Sequence, residues 1–147
     1  MKTATENIKK NYLLDTSAFF TFFEDEKGAD TVQEILERAK RNETEVFVCF
    51  ASFAEIFYIT FQEEGEKSAY SRINIVNNLP IKRIESNRRI DLIAGKLKAG
   101  NKISFADSLI AASAILCDAV LVHKDLEFEQ LADQITLLPL PYKRSRI

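Results

Sequence analysis

The 147-residue chain is poor in the residues that bind zinc or build disulfide frameworks, with one histidine, His123, and two cysteines, Cys49 and Cys117. The cysteines stand far apart, lack a C-x-x-C spacing and lie in apolar stretches, which reads as core thiols in a reduced, cytoplasmic protein. An excess of positive charge is missing too. With 20 Lys plus Arg against 22 Asp plus Glu, the net charge is −2 and the pI about 5.5. A chain-wide basic field for nucleic acid is thereby excluded, and any polyanion must be held by local patches or by metal. The longest mostly apolar run, Val46 to Phe61, contains Glu55 and falls short of the roughly 20 residues a membrane helix needs. The polar start, Met1 to Asn11, lacks the apolar segment of a secretory signal and reads as an arm. No repeat, linker or low-complexity stretch interrupts the remainder. What is present is 46% apolar content, enough for the core of one globular domain.

The apolar periodicity alternates between strand and helix. Tyr12-Leu13-Leu14 ends in Asp15 and then Thr16 and Ser17, hydroxyls suited to capping a helix. Val32, Ile35, Leu36 and Ala39 mark an amphipathic helix over 30–41, with basic residues in its last turn. Val46 to Phe50 predicts a buried strand, and Ser52 opens a helix to about Glu64, which puts Glu55 in its first turn. Further helices are expected over 67–79, from a Ser86 or Asn87 cap to Gly100, and over 104–117, the last apolar on every side and so internal. Short strands are expected over 81–84, 119–122 and 135–138, and a short helix over 126–132. This order predicts a three-layer α/β/α domain with a mainly parallel sheet of four to five strands. Its ligands belong beyond the carboxyl ends of the strands.

Carboxylates are sent to that edge. Asp15 closes the first strand, Glu55 follows the second, and Asp125 comes just past the fourth. Asp107 begins the internal helix beside Ile110, Ala111 and Ala114, where an unpaired carboxylate costs several kcal/mol. Two accounts of Asp107 stand side by side: a capping box with Ser104, or a site ligand. Asp15 likewise fits a turn, and Glu55 a helix dipole. Acids clustered at one edge repel one another unless a cation neutralises them. Oxygen-only ligands and a single histidine favour Mg²⁺ or Mn²⁺ over zinc, and phosphodiester hydrolysis suits such a centre.

The order of motifs resembles the PIN domain family. Leu13-Leu14-Asp15-Thr16-Ser17 is similar to its opening motif, Ser52-Phe53-Ala54-Glu55 to its second, and Ser104 to Ala112, with Asp107-Ser108-Leu109-Ile110-Ala111-Ala112, to its third. Leu121-Val122-His123-Lys124-Asp125-Leu126-Glu127-Phe128 resembles the fourth, with His123 in place of a common Thr or Ser and Glu127 in place of a second Asp. The fourth acidic role therefore belongs to Asp125, Glu127 or both. The resemblance spans residues 12–138, flanked by the arm 1–11 and a basic tail 139–147.

Among PIN domains the chain looks most like VapC-type toxins. That resemblance implies a Mg²⁺- or Mn²⁺-dependent endoribonuclease acting on transfer or ribosomal RNA, a homodimer, and a VapB-like antitoxin that blocks the acidic site. Asp15 and Asp107 are then the principal metal ligands, Glu55 and Asp125 complete the site, and Ser17 supports a carboxylate or water. Arg88, Arg89, Lys102, Lys143 and Arg144 are the candidate RNA-backbone contacts. Two rivals are a haloacid-dehalogenase-like phosphatase, which normally carries a second Asp where this chain has Ser17, and a catalytically inactive PIN-like interaction module.

Overall fold

A computed structural model describes residues 9–143. The expectations for residues 1–8 of the arm and 144–147 of the tail, Arg144 included, lie outside the described residues. Five strands, β1 (Lys10–Leu14), β2 (Thr44–Cys49), β3 (Lys82–Ile84), β4 (Val120–His123) and β5 (Leu137–Pro139), form one sheet in the order β3-β2-β1-β4-β5. All four pairings are parallel, so every strand ends at the same edge.

Successive residues of β1 point to opposite faces, and each face has its own core. Tyr12 and Leu14 join a cluster with α1 (Thr16–Phe23), α2 (Ala29–Lys40), α3 (Phe50–Glu64) and α4 (Glu66–Asn77), through Phe19, Val32, Leu36, Ile56 and Val76. Leu13 joins the cluster of α5 (Arg88–Gly100) and α6 (Phe105–Leu116), through Leu97, Ile110, Ala111 and Ala114. The three layers expected from the sequence are thus present. α6 is internal as its composition predicts, and its buried Ser113 donates to the Leu109 carbonyl at 2.9 Å, which keeps that hydroxyl paired.

Local signals were shifted at two places that matter for the site. The first helix is capped by Asp15 itself, whose side chain accepts from Ser17 N–H, and not by Thr16 or Ser17. α3 starts at Phe50 after Cys49, an N-cap without a side-chain bond. Glu55 consequently sits in the second turn, one turn deeper than a Ser52 cap would place it. The last three elements also shift by one or two residues: β4 runs over Val120–His123, a 3₁₀ helix covers Leu126–Leu131, and β5 covers Leu137–Pro139. No helix among the described residues is long and apolar enough to cross a membrane. Cys49 is buried, Cys117 half-buried, and both are free thiols.

Gly28, which precedes α2, has φ +103°, a backbone setting that suits glycine. A Cβ there would lie 3.0 Å from Leu140 Cβ and 3.1 Å from Pro141 Cδ. The α1–α2 connection and the segment after β5 are therefore in close apposition.

Candidate metal centre

Strand order reverses direction beside β1: β2 and β3 lie on one side, β4 and β5 on the other. Such a switch point leaves a crevice at the strand ends. Leu14 is paired with Val122, so Asp15, just past β1, lies level with His123, the last residue of β4, and Asp15 N–H donates to the Val122 carbonyl at 3.0 Å. A cavity of about 610 Å³ opens there, lined by Asp15, Glu55, Asp107 and Asp125 together with Thr16 and Ser17. Elements more than a hundred residues apart in sequence thus converge as the strand ends dictate.

Asp15 is 2% exposed. Its Oδ2 accepts from Ser17 N–H at 3.0 Å and from the Ser17 hydroxyl, while Oδ1 is buried with no hydrogen-bond partner among the described residues. The turn role accordingly accounts for one oxygen and leaves the other bare. Burial pushes the carboxyl up to about 7; the Ser17 bonds oppose this, and Glu55 and Asp125 add to it. Ser17 Oγ also accepts from Lys124 N–H at 2.8 Å, which fastens the end of β1 to the loop after β4. Glu55 is held differently: its Oε1 accepts from Thr16 Oγ1 at 2.7 Å, and Thr16 Oγ1 also hydrogen-bonds Ser52 Oγ at 3.0 Å.

The other side of the cavity lacks such hydroxyls. Ser104 caps α6 by accepting from Asp107 N–H at 3.1 Å, but among the described residues no bond returns from Ser104 N–H to the Asp107 carboxylate. Only half of the capping box forms, so capping leaves this carboxylate unexplained. Asp107, Asp125 and Glu127 each offer a carboxylate oxygen, all within 4.8 Å of one another. The Asp107 carboxyl is pushed far above the usual carboxylate range, first by burial and then by Glu127, Asp15 and Asp125. Asp125 also caps the 3₁₀ helix, its Oδ1 accepting from Glu127 N–H at 2.9 Å.

A buried acceptor without a donor, beside crowded carboxylates, suits a hard divalent cation bound through oxygen. The residues present therefore fit Mg²⁺ or Mn²⁺, with no nitrogen or sulfur ligand in the group. His123 is fully buried. Its Nδ1 accepts from Asp125 N–H at 3.1 Å, and burial lowers its pKa, so the ring is neutral with its proton on Nε2. It packs edge-on against Phe128, 5.2 Å between centroids, a core histidine that braces the Asp125 loop.

The expected RNA contacts are dispersed. Arg88, Arg89 and Lys102 are exposed and do not line the cavity. Lys143 does line it, paired with Glu26 at 2.7 Å. The sequence did not point to Thr16, backed by Ser52, as the holder of Glu55, or to Lys124 and Tyr142 as cavity walls. The Asp15-Thr16-Ser17 run held part of that signal, because two hydroxyls after a strand-end carboxylate can serve two different acids.

The PIN domain family profile matches residues 12–134. Among solved structures the chain superposes on VapBC2 from Rickettsia felis bound to a promoter DNA fragment, with a TM-score of 0.73 and 21% identity over 89% of this chain and 99% of that one. A toxin–antitoxin complex from Klebsiella pneumoniae gives 0.66 and 14% over 90% and 99%. VapC20 of Mycobacterium tuberculosis, a sarcin–ricin loop cleaving toxin, gives 0.62 and 13% over 85% and 96%. No curated protein matches the sequence at a significant level. At these identities the structural likeness speaks for the fold.

Proposed function

Because the chain belongs to the PIN domain family, we propose that it is a metal-dependent endoribonuclease, the toxin of a VapBC-like pair. In this reading it works in the cytoplasm as a homodimer on transfer or ribosomal RNA and is silenced by a VapB-like antitoxin that covers the acidic cavity. The observation that carries the reading is the buried Oδ1 of Asp15, without a hydrogen-bond partner among the described residues, in a cavity it shares with Glu55, Asp107 and Asp125.

Asp15 and Asp107 are the principal ligands for Mg²⁺ or Mn²⁺, completed by Glu55 and Asp125, with Glu127 the alternative fourth acid. A cation bound there supplies the charge that the crowded acids need and stabilises negative charge developing on the phosphoryl oxygens. Ser17 fixes the rotamer of Asp15 by occupying Oδ2. Thr16 fixes Glu55 through Oε1, which leaves Oε2 to orient the attacking water and take its proton. Water adds to phosphorus as its proton passes to Glu55, the P–O3′ bond breaks and the 3′-oxygen takes a proton from solvent, so the products carry a 5′-phosphate and a 3′-hydroxyl. The alternative attack by the 2′-hydroxyl wants an accessible acid-base pair, and the buried His123, its Nδ1 already bonded, is a poor one.

The haloacid-dehalogenase-like alternative loses its ground: the family matched is PIN, and Ser17 holds Asp15 where a second Asp would stand. The test is RNA cleavage in Mn²⁺ with the product ends mapped. We expect 5′-phosphate ends and a loss of at least about a hundredfold in Asp15→Asn with the fold retained. Products ending in a 2′,3′-cyclic phosphate, or full activity in Asp15→Asn, reject the scheme. Absence of any EDTA-sensitive cleavage favours an inactive interaction module.

A further inference from the structure

The acidic cavity adjoins a cleft of opposite charge. This cleft, about 490 Å³, is walled by Glu26 and Lys27 of the α1–α2 connection, by Lys124, and by Pro141, Tyr142 and Lys143 after β5. Glu26, Lys124, Tyr142 and Lys143 line both spaces, so the two share a wall. Three lysines face one glutamate, which reverses the sign of charge over the width of a few side chains.

The lysines are placed by the fold. Lys124 has its side chain only 8% exposed; its Nζ lies 3.5 Å from Glu26 Oε1 and 3.4 Å from the Lys27 carbonyl. Its backbone N–H is tied to Ser17, so its Cα is fixed relative to Asp15. Glu26 gives its other oxygen to Lys143 at 2.7 Å. One carboxylate divided between two ammonium groups leaves net positive charge in the cleft. The close approach of Gly28 to Leu140 and Pro141 sets the distance between its two walls. Tyr142 adds an aromatic ring, half-buried, with its hydroxyl donating to Glu129 Oε1 at 3.0 Å.

A basic groove with an aromatic platform is how proteins hold single-stranded nucleic acid, phosphates on the cations and a base on the ring. We propose that this cleft is a subsite for a single-stranded ribonucleotide adjoining the scissile phosphate, with Lys27 and Lys124 on the backbone and Tyr142 stacking a base. The inference rests on the ribonuclease reading. RNA is favoured over an acidic peptide because the shared wall lets one continuous strand occupy the cleft and the acidic cavity together, and because a stacking ring adds little for a carboxylate side chain.

The test measures binding apart from cleavage. Anisotropy of a fluorescein-labelled, unstructured RNA oligonucleotide is followed against salt in the full chain carrying Asp15→Asn, and cleavage is followed with the wild-type chain in Mn²⁺. Lys27→Gln with Lys124→Gln should flatten the slope of log Kd against log salt by about 1.4, at about 0.7 per phosphate contact on a single strand. Tyr142→Ala should weaken binding about 5- to 150-fold at unchanged slope, while Tyr142→Phe binds as its parent. Lys124→Arg should keep the parental slope, which separates loss of a phosphate contact from loss of structure.

Unchanged slope and affinity in every variant, while the wild-type chain still cuts RNA, discards the subsite and leaves the nuclease reading standing. No cleavage by the wild-type chain strikes the nuclease reading itself, and the subsite is then judged on the same binding slopes. Binding of a poly-glutamate peptide in preference to RNA, abolished by the lysine substitutions, reassigns the cleft to a protein partner and overturns the proposal.

Discussion

The two sides of the acidic cavity are built on different principles. On one side Asp15 and Glu55 are each held by a hydroxyl, Ser17 and Thr16, with Ser52 behind Thr16. On the other, Asp107, Asp125 and Glu127 approach within 4.8 Å of one another, and capping engages Asp125 but leaves the Asp107 carboxylate free. Hydroxyls orient a carboxylate without needing its charge removed, whereas apposed carboxylates repel until a proton or a cation intervenes. On the first side the orientation is set in advance, with the buried Asp15 Oδ1 left bare among the described residues; the second side has, among them, no hydroxyl anchor, and no neutralising charge until something binds.

That contrast is broken most readily at Asp107. Asp107→Asn should cost at least about a hundredfold in RNA cleavage while raising the melting temperature of the metal-free protein by a few degrees. The sign follows from the raised carboxyls of Asp15 and Asp107. A carboxyl whose folded pKa is raised lends stability below its unfolded pKa and loses it as pH climbs through the folded value. The metal-free protein should therefore melt progressively lower from about pH 4 through pH 7 and above, and Mn²⁺ or Asp107→Asn should flatten the trend. A melting temperature in EDTA that falls just as steeply with pH after Asp107→Asn would dissolve the distinction between the two sides.

A smaller effect sharpens the crowded side. Asp125 lines the cavity and caps the 3₁₀ helix, whereas Glu127 is exposed. Asp125→Asn should lower cleavage about 10- to 100-fold and Glu127→Gln by no more than about threefold, compared as kcat/KM on one RNA. The reverse ranking would transfer the fourth acidic role to Glu127. The smallest change is expected on the prepared side, where Thr16→Val keeps shape and removes the bond to Glu55. It should cost about 3- to 10-fold in cleavage and about 1 kcal/mol in stability, and Thr16→Ser should restore both. An inert Thr16→Val variant would show that Glu55 needs no anchor.

Much of this was legible in the chain. The alternation that buries Tyr12 and Leu14 on one face of β1 and Leu13 on the other, and the apolar surround of α6, are local patterns, and they set the layers and the address of the acids. Asp15, Asp107 and Asp125 fell at element ends, which local signals mark well. Glu55 was harder, because Cys49 opens α3 with no side-chain cap to announce it. The anchoring of Glu55 by Thr16 and the ties of Lys124 to Glu26 and Ser17 cross the fold, and no periodicity within a helix or strand encodes them. Arg88, Arg89 and Lys102 were named for their charge, yet charge without topology could not reveal that they stand away from the cavity.

The bond from Lys124 N–H to the Ser17 hydroxyl spans 107 positions in the chain. During synthesis it orders events in time. A polypeptide still threading the ribosome has Asp15 and Glu55 long before residue 124 emerges, and Asp107 before Asp125. Until β4 docks against β1, Ser17 lacks its donor and Asp15 its companions at the crevice. The acidic centre therefore cannot be complete before β4 and Asp125 have been made, and a truncated product carrying only the early acids holds an unfinished site.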